Sequence, residues 1–221
     1  MSQARIAAFF DFDKTLLEVE SAKLGLKWLW DKRMMPIGYT IRLLAANLLH
    51  SCHLLSEERM AVVGLSFYKN RRLDDLKIYA EEFYHEYLKP CFAPQMLSRV
   101  DFHRREGHVL VLISGSPRYY LEPVVTDLGF HHLLCTDLEE DGDGILTGKP
   151  EGPMCLDANK KSMAMELAKK VGLDLQRSYA YGNHQADIPL LQLVGRPHVV
   201  EPTIPLKKVA IQRSWPILSF R

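Results

Sequence analysis

The chain has 221 residues, 47% of them apolar and 25% charged, with 28 Lys plus Arg against 27 Asp plus Glu. That length fits one large domain or a core with a smaller partner, and the composition excludes disorder and collagen-like structure. A net charge of +1 gives no global field to hold nucleic acid, although a few placed cations would serve an anionic small molecule.

Cys52, Cys91, Cys135 and Cys155 are scattered without a C-x-x-C pair, so neither a disulfide framework nor a structural zinc site is expected. Met-Ser-Gln-Ala-Arg leads into an apolar run too short for a secretory signal, so the expected compartment is the cytoplasm.

In chain order, Arg5 to Phe10 is a continuous apolar run stopped by Asp11, the pattern of a buried parallel strand. From Val19 to Pro90 the pattern is helical, enough for three or four helices. Ser56 before Glu57 and Glu58 reads as an N-cap. Leu73, Leu76, Ala80, Phe83 and Tyr87 form one apolar stripe.

Met34 to Leu55 is apolar enough to require a membrane test. Pro36, Gly38, Arg42, His50 and His53 interrupt it, and a central Arg costs at least ~2.5 kcal/mol on insertion. No membrane insertion is expected. A largely buried helix in a soluble bundle is the leading reading, and attachment to a lipid surface is the alternative.

Beyond Pro94 helices and strands alternate. A helix over 95–106 precedes the strand 108–113, and a second helix starts near Pro117 with Ser116 as N-cap and stops at Gly129. A strand around 133–136 runs into a hairpin tip at 139–144, followed by a helix from Lys160 to Val171. The strand 178–181, a short helix 188–194 and the strand 198–200 complete the pattern. The expectation is an α/β fold: a Rossmann-like parallel sheet formed by 1–17 and 93–221, with an all-helical cap at 18–92.

Ligands of open α/β sheets bind beyond the carboxyl ends of the strands. The first strand ends Asp11-Phe-Asp13-Lys-Thr15, where one carboxylate could attack an electrophile while its neighbour handles a proton. The second ends Ser114-Gly115-Ser116-Pro117, a hydroxyl and a close-approach glycine before a helix start, which suits an anion or an ordinary cap. A later strand ends Gly182-Asn183-His184-Gln-Ala-Asp187. Lys160 and Lys161 open a helix against its dipole, a placement that hints at a role other than structure.

This ordered set, Asp-x-Asp-x-Thr, Ser, Lys and Gly-x-x-x-x-Asp, resembles the haloacid dehalogenase superfamily of phosphohydrolases. The helical cap after the first motif is similar to its phosphoserine-phosphatase-like branch, subfamily IB. Phe10-Asp-Phe-Asp-Lys-Thr-Leu16, Leu112-Ile-Ser-Gly-Ser-Pro117, Asp187-Ile-Pro-Leu-Leu191, Gly195-Arg-Pro197 and Val199-Val-Glu-Pro202 carry the resemblance across the chain.

The resemblance implies that Asp11 is a nucleophile forming an aspartyl-phosphate and Asp13 a general acid and base. Ser114 and Lys160 would hold phosphoryl oxygens, with Thr15, Glu20, Gly115 and Ser116 toward substrate. It implies Mg²⁺ at Asp11, Asp13 (through its carbonyl), Asn183 and Asp187. Asn183 departs from the family pattern, which has a directly ligating Asp there. The implied substrate is a small phosphate monoester, with phosphoserine and histidinol phosphate as first candidates. Alternatives are a phosphate-binding regulator with weakened catalysis and a phosphotransferase using the same intermediate.

In the cap, Arg33, Arg42, Arg59, Arg71 and Arg72 are candidates for a substrate carboxylate, whereas His50 and His53 read as structural.

Overall fold

The computed structural model describes residues 4–220. Seven strands form one sheet in the order β4-β3-β2-β1-β5-β6-β7. They are β1 Ala7–Asp11, β2 Val109–Pro117, β3 His132–Glu140, β4 Leu146–Glu151, β5 Tyr179–Gly182, β6 Arg196–Val200 and β7 Ile217–Leu218. All pairings are parallel except the β3–β4 hairpin.

β1 is central and wholly buried because both its faces are apolar. Ala8 and Phe10 enter one core cluster with Leu110 and Leu112 of β2, and Ala7 and Phe9 enter the opposite one with Val109, Val111 and Ile113. This is the two-residue period of a strand covered on both sides. Each buried phenyl side chain stabilises the fold by roughly 1.5–3 kcal/mol.

Around the sheet lie α5 Pro94–Arg105, α6 Arg118–Leu128, α7 Asp157–Val171, the single turn α8 Ile188–Leu191 and α9 Ile204–Gln212. Between β1 and α5 the chain makes α1 Ser21–Asp31, α2 Ile37–Ser51, α3 Glu57–Leu65 and α4 Leu73–Phe83. The outgoing and returning segments run side by side, Glu18 N–H donating to Cys91 O and Ala93 N–H to Leu16 O, both at 2.9 Å.

Helices α1 and α4 pack inward. Trp28 meets Phe83 edge-on, and Phe83 lies 5.3 Å from the ring of Tyr120 on α6. Leu76, Ala80 and Phe83 are the buried part of the α4 stripe. Ser56 caps α3, its Oγ accepting from Arg59 N–H.

Several expectations are corrected. The segment around α2 is not largely buried: Tyr39, Leu43 and Ala46 are buried, the first two in a cluster with Phe67, while Ile37, Ile41, Leu44 and Leu48 are 63–80% exposed. Apolar residues all round a helix give periodicity nothing with which to choose a face. The N-cap of α6 is Pro117, because β2 runs on through Ser116. Helix α7 starts at Asp157, one turn before Lys160, and α8 stops at Leu191. Strand β7 and helix α9 were not anticipated; β7 pairs with β6 at Val199–Ile217.

Candidate active site

The sheet register puts the three polar strand ends side by side. Asp11 is paired with Ile113, so Ser114 follows it on the next strand, and Phe10 is paired with Tyr181, so Gly182 ends β5 alongside. After Asp13 the chain reverses at Lys14, whose φ of 55° is left-handed. Asp11 and Asp13 both keep extended backbone angles before that reversal.

Lys160 Nζ lies 2.6 Å from Asp11 Oδ1 and 2.7 Å from Asp187 Oδ1, with all three side chains buried. Its neighbour Lys161 is exposed. The entry to α7 is fixed by Cys155 N–H donating to the buried Thr136 hydroxyl at 3.1 Å. Asp187 Oδ2 accepts from the backbone N–H groups of Asn183 and His184, each at 3.1 Å. Both oxygens of Asp187 are thus engaged within the protein, one on Lys160 and one on the turn that carries Asn183. Thr203 N–H holds the Asn183 carbonyl at 2.9 Å.

Thr15 is buried and donates from Oγ1 to Asp11 Oδ2 at 3.1 Å, so it orients that carboxylate. The buried Ser114 hydroxyl accepts from Ser116 N–H at 3.2 Å and keeps its own hydrogen to donate. Gly115 is pressed against Leu156: a Cβ there would stand 2.6 Å from Leu156 Cδ2.

Burial dominates the electrostatics. It pushes the Asp11 carboxyl up to about 7, against the pull of Lys160. Burial also raises Asp13, against the pull of the Ser21 N–H that bonds Asp13 Oδ1. For Lys160, burial acts to lower the pKa, but the Asp11 and Asp187 carboxylates outweigh it and hold the ammonium above its ordinary range.

Glu20 is half-exposed before α1, ion-paired with Lys23 at 2.7 Å, and close enough for its charge to raise Asp13. None of the cap arginines Arg33, Arg42, Arg59, Arg71 and Arg72 bonds a residue of this cluster among the described residues. Arg71 is turned onto the Phe67 carbonyl and ring, and His50 bonds the Leu55 carbonyl.

The residues that sequence reasoning missed are aromatic. Tyr120 donates to Ser21 O at 3.2 Å, next to Asp13, and Tyr119 meets Tyr68 of the cap edge-on at 5.6 Å. Their signal was adjacency: both tyrosines open the helix that follows Ser114-Gly-Ser-Pro117.

Residues 8–192 match the haloacid dehalogenase-like hydrolase family, and the chain belongs to it. The chain is 27% identical to a histidinol-phosphatase of Neisseria meningitidis, covering 97% of this chain and 98% of that one. Among solved structures, a Bordetella pertussis protein of unknown function aligns with TM-score 0.90 and 25% identity, covering 99% of this chain and all of that one. A phospho-aspartyl intermediate analogue of phosphoserine phosphatase aligns with TM-score 0.69 and 18% identity, over 99% of this chain and 95% of that one. The protein is therefore a hydrolase with the fold of the phosphoserine phosphatases.

Proposed function

We propose that the protein is a Mg²⁺-dependent phosphatase that hydrolyses a small phosphate monoester through an aspartyl-phosphate on Asp11. The observation that carries this reading is the buried ammonium of Lys160, held against Asp11 at the strand edge beside Ser114. The similarity to a histidinol-phosphatase supports it. Histidinol phosphate and phosphoserine are the first substrates to test.

The carboxylate of Asp11 attacks phosphorus, forming the aspartyl-phosphate as the ester P–O bond breaks. Asp13 gives its proton to the departing alkoxide, then takes one from the water that attacks the aspartyl-phosphate. Burial raises the pKa of Asp13, the direction that suits a proton donor. The Ser114 hydroxyl and Lys160 hold phosphoryl oxygens, and Asp187 is a positioning residue that sets Lys160 and the Asn183 turn. Thr15 orients Asp11, while Glu20, Gly115 and Ser116 border the bound ester.

The donor set suits a hard divalent cation. Asp11 and Asp187 share the one buried ammonium of Lys160, so two carboxylates face a single cation. Asp11, the Asp13 carbonyl and Asn183 would hold the ion, with Asp187 next to them through the Asn183 turn. No three His, Cys, Asp or Glu side chains form a metal cluster among the described residues, and the proposed set includes a carbonyl and an amide oxygen. Bound there, Mg²⁺ supplies the charge that offsets repulsion between phosphate and nucleophile.

Purified protein with Mg²⁺ should release phosphate from a monoester panel that includes p-nitrophenyl phosphate, and Asp11→Asn should abolish release. A folded wild type that turns over nothing on the panel defeats the proposal. The neutral Asn183 favours one second reading, a phosphate-binding regulator with weakened catalysis; it predicts saturable ligand binding with negligible turnover.

A further inference from the structure

Helix α2 has two apolar faces and one partner. Tyr39, Leu43 and Ala46 pack inward, and the opposite side presents Ile37, Ile41, Leu44 and Leu48, at spacings of 4, 3 and 4 and all well exposed. Leu49 and, just past the helix, Leu54 are exposed as well. Isolated exposed leucines need no explanation, but a contiguous apolar stripe on a surface helix marks an interaction site.

Charge selects the occupant. From Lys32 to Ser56 the chain has no Asp or Glu but contains Lys32, Arg33 and Arg42. Beside the N-terminal half of α2, on the side of Tyr39, opens a cleft of about 720 Å³ whose lining includes Arg42, Phe67, Lys69 and Arg71 and no acidic residue. None of Arg33, Arg42, Lys69 and Arg71 forms an ion pair among the described residues, whereas Lys32 pairs with Glu82. A two-fold contact between copies of this chain would set the same cationic flank against itself, which like-charge repulsion opposes. At 15 residues α2 is too short to span a bilayer, and no helix of the described residues is long and apolar enough to cross one.

We infer that α2 is a membrane-docking helix: it lies in the plane of an anionic lipid surface with Ile37, Ile41, Leu44 and Leu48 among the acyl chains and Arg42, Lys69 and Arg71 at the phosphate headgroups. Docking through α2 leaves the Asp11 site on the sheet edge untouched, so it holds or fails independently of the phosphatase reading.

The full chain is sedimented with vesicles of 30 mol% phosphatidylglycerol in phosphatidylcholine and with pure phosphatidylcholine. Binding is expected to the anionic vesicles, weaker at high salt, and reduced by about tenfold or more in Leu44→Ser/Leu48→Ser and in Arg42→Glu. All three residues are exposed, so circular dichroism should match the wild type. The inference is overturned if neither vesicle binds, or if binding survives these substitutions. It is equally overturned if sedimentation equilibrium finds a wild-type dimer that the double substitution makes monomeric, for then the stripe covers a second copy.

Discussion

Asp187 carries Lys160: one carboxylate oxygen lies 2.7 Å from the Lys160 ammonium while the other accepts two backbone N–H groups from the Asn183–His184 turn. The lysine is 27 residues from its anchor and 149 from Asp11, so three separate segments meet in one buried ion cluster. Desolvating such a cluster costs several kcal/mol per ion, which the mutual attraction and the backbone donors must offset.

Removing one member should therefore expose the cost of the others. Asp187→Ala is expected to destabilise the fold by about 3 kcal/mol, because Lys160 loses a partner and two N–H groups are orphaned. Asp187→Asn keeps an acceptor and should cost less. Denaturant unfolding of both variants checks the order, and turnover should fall in both, more in Asp187→Ala, because Lys160 is left with Asp11 as its one charged partner.

Metal dependence should report on Asn183. Chelation is expected to abolish turnover and added Mg²⁺ to restore it. Asn183→Asp supplies an anionic oxygen and should lower the Mg²⁺ concentration for half-maximal activity by about tenfold or more. Titration of both proteins reads this directly; an unchanged midpoint would place residue 183 outside the metal site.

Tyr120→Phe removes the donor to Ser21 O without changing the ring that packs on Phe83. The expected stability loss is about 1 kcal/mol. Ser21 also holds Asp13, so kcat should fall more than KM rises. Steady-state kinetics against melting temperature separates the positioning effect from simple destabilisation.

Acid should weaken the fold through a second buried group. His103 is fully buried, its Nε2 2.8 Å from the Tyr181 hydroxyl and its Nδ1 2.8 Å from His108 Nδ1. Burial lowers its pKa to about 3, with the charges of His108, His198 and Arg99 acting the same way. In the unfolded chain it titrates near 6.5, so between about 6.5 and 3 the unfolded state binds the extra proton and stability declines as pH falls. One such group contributes at most about 1.4 kcal/mol per pH unit, less where water reaches the cluster. His103→Gln should flatten the dependence of unfolding free energy on pH across that window.

Tight backbone contacts offer a check on packing at the two ends of β5. A Cβ at Gly195 would stand 1.8 Å from the Gln176 carbonyl oxygen, and backbone cannot swing aside. Gly195→Ala should cost about 3 kcal/mol or prevent folding. At Gly182 the same addition meets Asp187 atoms at 2.8 Å, so Gly182→Ala should depress turnover by displacing that carboxylate. Thermal melts and turnover measured together distinguish the two.

Much of the fold was legible because its signals are local. An apolar run stopped by acids marks β1, Gly129 and Gly172 end α6 and α7 in left-handed turns, and Ser56 caps α3. What failed were boundaries and faces. Ser116 looks like a cap, but pairing with β3, which carries the ladder on to Pro117–Thr136, keeps it in the strand. The β7 edge was not anticipated because two residues give no period to read.

By itself the sequence determined the order of motifs and the sheet they end, and it singled out Asp11, Asp13 and Ser114, since each lies where a local pattern breaks. Only the tertiary structure tied Lys160 to Asp187, brought Tyr120 to Ser21 beside Asp13, and left one face of α2 open. Those outcomes depend on which surfaces meet across long stretches of chain, and a helix with two apolar faces carries no local record of which one is covered.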